Sequence, residues 1–344
     1  MPLLISQSMQ RLYPNYGRNS SFYGTVSIMK NLLVTGGAGF IGSHMVDRLQ
    51  QNYRIHILDS LITGEKRFIP KNTFFYKEDV RKKDHVMNIV KKIRPDVIFH
   101  IAGQASNINS FSDPHFDIDV NFKGTVNVVL AALVAKVRRF LYASSMTVYG
   151  YPESLPVSET NPCKPVSYYG ISKYAAERFV HATALRPDLT EPFNVTSFRM
   201  FNVYGPRQSL TNSYQGALAI FIGNILRNEP ITIYGDGLQS RDFIYINDVV
   251  DAWTSAITNK KTFGEVFNLG NGKRVSVIDM VKQVITASGK NPKTYPIIYK
   301  DQRPGEQRHM EANMEKAKKT FLFIPRAPFM DGLKQTLQWA LTQP

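Results

Sequence analysis

A tyrosine and a lysine four residues apart, Tyr169 and Lys173, are the residues of this sequence best suited to moving a proton. If the segment is helical, a spacing of four places both side chains on one face. A phenol has an ordinary pKa of about 10, but a neighbouring ammonium lowers that pKa because it favours the phenolate. The spacing therefore predicts that Tyr169 takes a proton from a substrate hydroxyl with help from Lys173. Since this spacing is common by chance, an exposed helix pair is the alternative interpretation.

A second candidate for proton transfer is Ser145, which follows the apolar run at residues 138–144. Parallel sheets bind their ligands at the carboxyl ends of their strands. Ser145 is therefore predicted to orient or relay the proton between a substrate oxygen and Tyr169. Taken without its neighbours, Ser145 fits equally well as a serine that caps a turn.

Glycines follow the first apolar run, residues 32–35, at a spacing that suits a phosphate site. Gly36 allows a tight turn, Gly39 lets the backbone approach phosphate groups, and Gly42 lets the next helix pack closely on the strand. The amino terminus of that helix adds N–H donors and a partial positive charge. The segment predicts a dinucleotide pyrophosphate site, and a glycine-rich structural turn is the alternative.

Three later strand ends supply further candidates for a dinucleotide site. Asp59 stands about 20 residues after the glycines, where a carboxylate accepts hydrogen bonds from ribose hydroxyls and repels a 2′-phosphate, so that NAD is favoured over NADP. Asp79 and Val80 end the third run and are predicted to touch adenine, with a solvent-exposed turn as the alternative. The tripeptide Ala102-Gly103-Gln104 ends the fourth run, where small residues let a cofactor lie against the backbone; a simple glycine turn is the alternative.

These residues need a framework, and the order of apolar and amphipathic segments indicates one. Strand-like runs alternate with helical patterns from residue 31 to about residue 198. Such alternation is typical of βαβ units, so the sequence predicts an α/β fold with a doubly wound parallel sheet of the Rossmann type. The predicted strands are 32–35, 54–59, 73–77, 96–101, 138–144 and 194–198, and the predicted helices are 41–51, 83–92, 119–136 and 172–184.

The same patterns divide the chain of 344 residues into three parts. Residues 1–28 show little periodicity and are expected to form a flexible N-terminal extension, or to reflect an upstream start codon. Residues 29–200 are expected to form the NAD-binding Rossmann domain, and residues 201–344 mainly a smaller α/β substrate-binding region. No clean linker separates the last two, so we expect them to pack together with some exchange of strands.

Composition argues against several classes of protein. No apolar run is long enough to cross a bilayer and no secretory signal is recognisable, so a soluble, cytoplasmic protein is expected. The single cysteine, Cys163, cannot form an intrachain disulfide, and no metal site is predicted. The net charge of +15 raises the alternative of nucleic-acid binding. Because lysines and arginines are scattered in short runs without a nucleic-acid-binding motif, we expect no such partner.

Taken jointly, these motifs resemble a known family. The glycine loop, Asp59, Ser145 and the tyrosine–lysine pair are followed by Arg-Met-Phe-Asn-Val-Tyr-Gly-Pro-Arg at 199–207 and by a Tyr-Gly-Asp-Gly to Arg-Asp-Phe segment at 234–243. Together they are similar to the extended short-chain dehydrogenase/reductases, and within these to nucleotide-sugar epimerases of the UDP-galactose 4-epimerase type. The resemblance runs from about residue 29 to the end. It implies NAD as cofactor, a UDP-sugar as substrate, and a homodimer formed through helices 119–136 and 172–184.

The resemblance also implies roles for individual residues. Those implied to contact NAD are Phe40, Ile41, Asp59, Ser60, Ala102, Gly103, Asn121, Tyr169 and Lys173. Those implied to contact the nucleotide-sugar are Ser145, Tyr169, Asn202, Arg241 and Arg303. The resemblance also places Thr232 and Tyr234 near the base and Glu306 at the nucleotide ribose. The guanidinium groups of Arg241 and Arg303 suit the diphosphate because each can donate two hydrogen bonds to phosphate oxygens. Without the resemblance, the late residues would be interpreted as surface turns.

The reaction is predicted from side chains that the sequence lacks. By the same resemblance, dehydratases carry an Asp-Glu pair directly after the serine position and decarboxylases a Glu at the second of these positions. This sequence has Met146 and Thr147 there. The predicted reaction is therefore inversion at C4 of a sugar of the UDP-glucose/UDP-galactose type, through a transient 4-keto sugar and without net consumption of NAD.

Several alternatives for the substrate and the activity stay open. The resemblance implies that Met310 lies on the wall of the sugar pocket, where its intermediate size also admits a UDP-N-acetylhexosamine or a UDP-uronic acid. Residues 209–215 depart from the family pattern, which leaves the nucleotide base open. A dehydratase or decarboxylase of the same family is a further alternative. A cofactor-binding regulator without turnover is another, although the complete set of Ser145, Tyr169 and Lys173 argues against it.

Overall fold

The computed structural model describes residues 29–212, 216–302 and 307–343, so the predicted extension at residues 1–28 lies outside the described residues. The strands are β1 (Asn31–Thr35), β2 (Arg54–Asp59), β3 (Phe74–Lys77), β4 (Val97–His100), β5 (Arg139–Ser145), β6 (Asn194–Met200), β7 (Asn202–Tyr204), β8 (Ile231–Tyr234), β9 (Ser240–Tyr245), β10 (Glu265–Leu269), β11 (Arg274–Ser276) and β12 (Ile297–Lys300). The α-helices are α1 (Phe40–Leu49), α2 (Lys83–Ile93), α3 (Asn107–Ser112), α4 (Pro114–Ile118), α5 (Gly124–Val134), α6 (Tyr168–Ala184), α7 (Ala217–Leu226), α8 (Ile246–Ala256), α9 (Val277–Ala287), α10 (Glu315–Phe321) and α11 (Phe329–Ala340).

Seven parallel strands form the main sheet, in the order β10-β6-β5-β4-β1-β2-β3. Strands β1 to β6 overlap the six predicted runs. Strand β1 lies within the sheet, β2 and β3 are added on one side of it, and the chain then crosses to add β4, β5 and β6 on the other. This reversal of strand order is the doubly wound arrangement, and it confirms the predicted α/β Rossmann fold.

The centre of β1 is an uninterrupted apolar run because both faces of the sheet are covered there. In β1, Leu32 and Val34 pack into the core on one face and Leu33 packs into the core on the other. Successive side chains of a strand point to opposite faces, so an uninterrupted apolar run is what such a sheet requires. All seven residues of β5 are buried, which holds the strand that ends in Ser145 rigidly at the centre of the domain.

Helix α6 begins at Tyr168, four residues before the predicted start at residue 172. The Ser167 hydroxyl caps it by accepting a hydrogen bond from the backbone N–H of Gly170 (3.1 Å). The prediction started too late because a glycine lowers the helical propensity of this segment. A Cβ on Gly170 would lie 2.7 Å from the carbonyl oxygen of Thr147, so close packing requires the glycine. The helix includes both Tyr169 and Lys173, as their spacing requires.

The predicted helix at 119–136 also differs from the observed structure. Residues Asp119–Lys123 form a turn of π-helix, and only then does α5 begin, at Gly124. Turns of π-helix are rare and occur mostly at functional sites, since they change the direction of nearby side chains. This turn carries Asn121, one of the residues implied to contact NAD.

The carboxyl-terminal part of the chain builds two small sheets beside the main one. Strands β11, β9 and β7 form a three-stranded sheet in that order, and β8 pairs with β12. Strand β10 comes from the same part of the chain but pairs in parallel with β6, as the edge strand of the main sheet. The boundary proposed at residue 200 stays a prediction.

Two features often tied to function are missing from the part of the chain that the structure describes. No helix there has the length and apolar character needed to cross a membrane. Within the same residues, no group of three or more His, Cys, Asp or Glu side chains is arranged to hold a metal ion.

Candidate active site

A cavity of about 1200 Å³ lies at the carboxyl ends of β1, β2, β4 and β5 and extends to β7 and β9. Since a ligand pocket usually measures about 300–1000 Å³, this cavity has room for more than one ligand. The predicted site residues that line it are Gly36, Gly39, Phe40, Ile41, Gly42, Asp59, Ser60, Asp79, Val80, Ala102, Gly103, Gln104, Ser145, Tyr169, Asn202, Tyr234 and Arg241. The fold therefore brings residues from distant parts of the chain to one space.

The glycine loop between β1 and α1 forms one wall of the cavity. Gly36 has a φ of +72°, and a Cβ on it would lie 2.7 Å from the backbone nitrogen of Ala102. A Cβ on Gly42 would lie 2.0 Å from the Gly36 carbonyl oxygen, so both positions require glycine. Gly39 is the N-cap residue of α1, and no side chain caps this helix. The first N–H groups of α1 thus have no intrahelical partner and suit an anion such as a diphosphate.

Asp59 lies at the end of β2, where the prediction placed a ribose-binding carboxylate. Its two oxygens accept hydrogen bonds from the backbone N–H groups of Ala38 (2.9 Å) and Leu61 (2.8 Å). Burial raises the pKa of Asp59, and these two hydrogen bonds oppose that rise. A carboxylate has about four acceptor sites, so the group keeps capacity for ribose hydroxyls after both backbone bonds are formed.

Asp79 and Val80 lie at the same end of the cavity, after β3. Arg81 donates to Asp79 through Nη2 (2.7 Å) and through its backbone nitrogen (2.9 Å). Burial opposes the shift, but the hydrogen bonds from Arg81 lower the pKa of Asp79. Its carboxylate is thereby held as an anion in the cavity wall, and its predicted contact with adenine stays a prediction.

Three hydroxyl groups form the opposite end of the cavity: those of Ser145, Thr147 and Tyr169. The Thr147 hydroxyl donates to Ser145 Oγ over 3.0 Å. The Tyr169 hydroxyl is also hydrogen-bonded to Ser145. Because a hydroxyl has one proton to donate and lone pairs to accept another, this group can pass a proton from one oxygen to the next.

The pKa of Tyr169 differs from the prediction. Burial raises it to about 12, and the hydrogen bond with Ser145 offsets only part of the rise. The expectation that Lys173 lowers this pKa is therefore wrong for the protein groups alone. The physical reason is that burial disfavours the charged phenolate more than the neighbouring groups favour it, while Lys173 Nζ lies 4.6 Å from the centre of the Tyr142 ring.

Lys173 is buried behind the cavity wall, with 4% of its surface exposed. Burial lowers its pKa to about 8, and the carboxylates of Asp117 and Glu177 oppose this shift. Lys173 does not line the cavity, but a Cβ on Gly103, which does, would lie 3.7 Å from Nζ. The ammonium thus lies next to the wall at the position where Gly103, which has no Cβ, leaves space for a ligand.

Asn121 is likewise buried behind the wall, where it fixes the backbone that follows β4. Its Oδ1 accepts from the backbone nitrogen of Gln104 (2.9 Å), and its Nδ2 donates to the Gln104 carbonyl (3.1 Å) and to Asp117 (3.0 Å). The Ser172 hydroxyl donates to the other oxygen of Asp117 (2.5 Å). These bonds tie the π-helical turn to α6, and the implied contact of Asn121 with NAD stays a prediction.

A second buried network sets the position of β5 relative to α6. Arg199 donates to both carboxylate oxygens of Glu177, over 2.6 and 3.0 Å, and the Ser144 hydroxyl donates to one of them over 2.6 Å. Arg199 Nη1 also donates to the Tyr149 hydroxyl (3.0 Å). Because Ser144 and Glu177 neighbour Ser145 and Lys173 in the chain and on the helix, this network helps to fix the spacing of the hydroxyl groups.

The carboxylates Asp117 and Glu177 are two residues of this site that sequence analysis missed. Both are buried and both act on the charge of Lys173. Glu177 continues the spacing of four that begins with Tyr169 and Lys173, and Asp117 lies four residues before Asn121. That repeated spacing on a helical face is the signal that could have revealed them.

The residues implied to hold the nucleotide-sugar have different outcomes. Asn202, Tyr234 and Arg241 line the cavity. Arg303 and Glu306 lie outside the described residues. Thr232 does not line the cavity: it lies two residues before Tyr234 on β8, about 7 Å away along the strand.

The expectation that Met310 forms the wall of the sugar pocket is wrong. Its side chain is fully buried in an apolar cluster with Met146, Val148 and Phe201, and it does not line the cavity. An apolar methionine gains more from this core than from a polar pocket. Gln307, three residues earlier, lines the cavity instead.

Comparison with known proteins places this site in a family. A model of the NAD-dependent epimerase/dehydratase family matches residues 32–270. The sequence is 36% identical over 313 residues to a putative UDP-glucose 4-epimerase of Methanocaldococcus jannaschii, covering 90% of this chain and 97% of the relative. It is 32% identical over 337 residues to the dTDP-D-glucose 4,6-dehydratase of Bos taurus, covering 94% and 92%. The solved UDP-glucose 4-epimerase of Thermus thermophilus in complex with NAD superimposes with a TM-score of 0.84 at 32% identity, covering 91% and 99%.

The chain therefore belongs to the NAD-dependent epimerase/dehydratase family, within the extended short-chain dehydrogenase/reductases. This confirms the resemblance and NAD as the cofactor. The site also fits NAD on its own geometry, since the uncapped amino terminus of α1 suits a diphosphate and Asp59 suits a ribose. Because the relatives include an epimerase and a dehydratase, membership of the family leaves the reaction to be argued from the site.

Proposed function

We propose that this protein is an NAD-dependent epimerase that inverts C4 of a nucleotide-diphosphate sugar of the UDP-glucose/UDP-galactose type. The observation that carries the proposal is the group of three hydroxyls, Ser145, Thr147 and Tyr169, which faces the same cavity as the glycine loop. The choice of UDP-glucose is supported by the name of the Methanocaldococcus jannaschii relative.

The chemical task of the protein side chains is to move one proton. NAD, when bound, supplies the acceptor for the hydride that leaves C4, together with a positive charge in the same cavity. Positive charge near Tyr169 favours its phenolate, which matters because burial raises the pKa of this group to about 12. Tyr169 accepts the proton of the C4 hydroxyl, either directly or through Ser145. The donation from Thr147 leaves the Ser145 hydroxyl proton available for this transfer.

Inversion requires that C4 of the 4-keto sugar regain a hydride on its opposite face and that the C4 oxygen regain a proton. Tyr169 returns its proton to the C4 oxygen, so neither a proton nor NAD is consumed overall. The sugar has to turn over between the two transfers, while the diphosphate stays bound. Arg241 suits the diphosphate, because guanidinium groups form strong, oriented hydrogen bonds with phosphate oxygens. The sugar end of the cavity offers hydroxyls and the apolar Met146. Their contacts with the sugar are weaker than those of a guanidinium with the diphosphate, so the 4-keto sugar can rotate.

The position of the carboxylates favours epimerisation over dehydration or decarboxylation. Elimination of water needs an added acid and base, beyond the group that oxidises C4. Among the described lining residues, the carboxylates are Asp59, Glu65, Glu78 and Asp79, which end β2 or follow β2 or β3. Beside Ser145 the lining residues are Met146 and Thr147. Among the residues that the structure describes, no lining carboxylate lies beside a 4-keto sugar formed there to divert it.

The direct test is a panel of nucleotide-sugars incubated with the purified protein and NAD, with the products followed by proton NMR. The panel contains UDP-glucose, UDP-galactose, UDP-N-acetylglucosamine, UDP-glucuronic acid and dTDP-glucose. We expect interconversion of UDP-glucose and UDP-galactose without accumulation of NADH. Preferred turnover of the N-acetyl or uronic acid sugar would keep the reaction and change the substrate. Release of a 4-keto-6-deoxy sugar or of carbon dioxide would overturn the proposal.

A further inference from the structure

Arg207 lines the cavity at a position for which the sequence analysis assigned no role. It follows β7 in the turn Gly205-Pro206-Arg207 and has a φ of +68°, in the left-handed region that side chains other than glycine rarely adopt. The turn is held against helix α1, because His44 of that helix is hydrogen-bonded to the Pro206 carbonyl oxygen (3.0 Å). A strained arginine fixed on the wall of a ligand cavity is a candidate for binding.

Of the two terminal nitrogens of the Arg207 guanidinium, Nη2 forms a hydrogen bond and Nη1 forms none. Nη2 donates to Asp47 on the second turn of α1 over 2.6 Å, and the group lies 5.2 Å from the centre of the Phe68 ring, which also lines the cavity. Nη1 is buried and has no hydrogen-bond partner. A buried N–H group without an acceptor is costly, and a charged one more so. The geometry thus leaves Nη1 of the planar guanidinium able to donate to an anionic acceptor.

The distribution of charge indicates which anion this is. Among the described residues that line the cavity, two carry a positive charge, Arg207 and Arg241. In the parallel pair of β7 and β9, Asn202 lies opposite Phe243. Arg241 precedes this position and Arg207 follows the other end of β7, so the two arginines lie at opposite ends of the strand pair. The proposed reaction brings two diphosphates into the cavity, one in the cofactor and one in the sugar nucleotide.

We propose that Arg207 donates through Nη1 to the diphosphate of NAD, and that Arg241 serves the other diphosphate. Arg207 is assigned to the cofactor because it lines the same cavity as Gly39 at the amino terminus of α1, the phosphate site of the glycine loop, and because its turn is hydrogen-bonded to His44, one helical turn further along. The predicted substrate-binding region would thereby supply a ligand to the cofactor. This inference depends on NAD as cofactor and is independent of which sugar is turned over.

Equilibrium binding of NAD, ADP and adenosine to the NAD-free protein, measured by calorimetry, tests the inference. Arg207→Gln removes the charge, and we expect the Kd for NAD and for ADP to rise about 10- to 100-fold, as for the loss of a charge-assisted hydrogen bond. The Kd for adenosine, which has no phosphate, should not change. Arg207→Lys keeps a positive charge beside Asp47 but loses the second guanidinium nitrogen, so we expect a smaller rise in the Kd for NAD and ADP.

The matched control is Arg48→Gln. Arg48 also joins α1 to the carboxyl-terminal part, through an exposed ion pair with Asp251, but it does not line the cavity. Its loss should leave all three dissociation constants unchanged. Unchanged binding of NAD and ADP by folded Arg207→Gln and Arg207→Lys would overturn the inference and leave the proposed function intact. An equal loss of adenosine and ADP binding would also overturn it, because that result indicates a distorted cavity. A wild-type protein that binds no NAD would overturn both this inference and the proposed function.

Discussion

The two ends of the cavity use charge in opposite ways. At the end that follows β2 and β3, the carboxylates of Asp59, Glu65, Glu78 and Asp79 face the cavity directly. At the other end the hydroxyls of Ser145, Thr147 and Tyr169 face it, and the charges of Lys173, Asp117 and Glu177 are buried behind them. The family cofactor has to be recognised at the first end, and a proton has to move at the second.

This difference follows from how strongly a charge acts in each environment. A charge in contact with solvent selects its ligand by accepting hydrogen bonds and by repelling like charges, but water weakens its influence on neighbouring pKa values. A buried charge acts over the same distance in a medium of lower effective dielectric constant, so it shifts pKa values more strongly. The comparison predicts that changes at the hydroxyl end alter rate and pH dependence, whereas changes at the carboxylate end alter the choice of cofactor.

The largest effect is expected from Tyr169→Phe, which removes the proposed proton acceptor and little else. Proton transfer by a positioned side chain contributes about 10²- to 10⁴-fold to the rate, so kcat should fall by that factor. Binding of NAD should be unchanged. Tyr168→Phe is the control, because Tyr168 is the neighbouring tyrosine and is 46% exposed. Steady-state kinetics and calorimetry measure both, and near-normal turnover by Tyr169→Phe would remove this residue from the mechanism.

Breaking the buried pair behind the hydroxyl end should cost stability. Arg199→Met leaves the carboxylate of Glu177 buried without its bidentate partner, which typically lowers the free energy of unfolding by about 3–5 kcal/mol. Urea denaturation followed by circular dichroism measures the change. The control is Arg186→Met, which breaks an exposed pair with Asp188 and should leave the unfolding midpoint almost unchanged. Equal effects of the two variants would show that burial does not matter here.

Asp117→Asn should shift the pH dependence of the reaction. Burial lowers the pKa of Lys173 to about 8, and the Asp117 carboxylate opposes that shift. Removing the negative charge therefore lowers the lysine pKa further, so the ammonium is lost at a lower pH. If the ammonium is the active form, the fall in kcat on the alkaline side should move to lower pH, with severalfold less activity near pH 8. An alkaline limb that stays in place or moves upward would contradict this coupling.

The control for that profile is Asp119→Asn. Asp119 lies in the neighbouring π-helical turn and forms an exposed ion pair with Lys123. The substitution Asp119→Asn removes one negative charge from the same part of the chain, but at a solvated position where water and salt screen the effect of that charge on neighbouring pKa values. Its pH profile should superimpose on that of the wild-type protein.

The smallest effect is expected at the carboxylate end. Asp59→Asn removes the charge that repels a 2′-phosphate and keeps an acceptor oxygen for only one of the two backbone N–H groups, those of Ala38 and Leu61, that donate to Asp59. The preference for NAD over NADP should narrow about three- to tenfold, as measured by the two dissociation constants. Glu78→Gln, which neutralises another lining carboxylate, should leave the ratio as it is. A ratio unaffected by Asp59→Asn would assign the selection to other groups.

Much of the fold and of the cavity could be predicted because the signals are local. Alternating apolar runs predicted β1 to β6, and the spacing of Gly36, Gly39 and Gly42 predicted the turn, the uncapped helix and the close packing at α1. Errors occurred where tertiary contacts overrode a local preference. Helix α6 starts earlier than predicted because Ser167 caps it and because Gly170 is required for packing.

The candidate site shows the same division. The strand ends that carry Asp59, Ser145 and the Ala102-Gly103-Gln104 segment were identified, because ligands bind at that edge of any such sheet. Met310 was misplaced and Arg207 was passed over, because the environment of each depends on side chains from distant segments. No spacing along the chain records that Arg207 reaches Asp47, 160 residues away.

The sequence by itself determined the α/β fold, the phosphate-binding loop and the pairing of Tyr169 with Lys173 on one helical face, because each follows from periodicity over a few turns or strands. Only the tertiary structure decided how these groups ionise. Burial raises the pKa of Tyr169 instead of letting it fall and lowers that of Lys173 to about 8, while Asp117, far from both in the sequence, raises both. Ionisation depends on solvation and on charges nearby in space, and these exist only once the chain has folded.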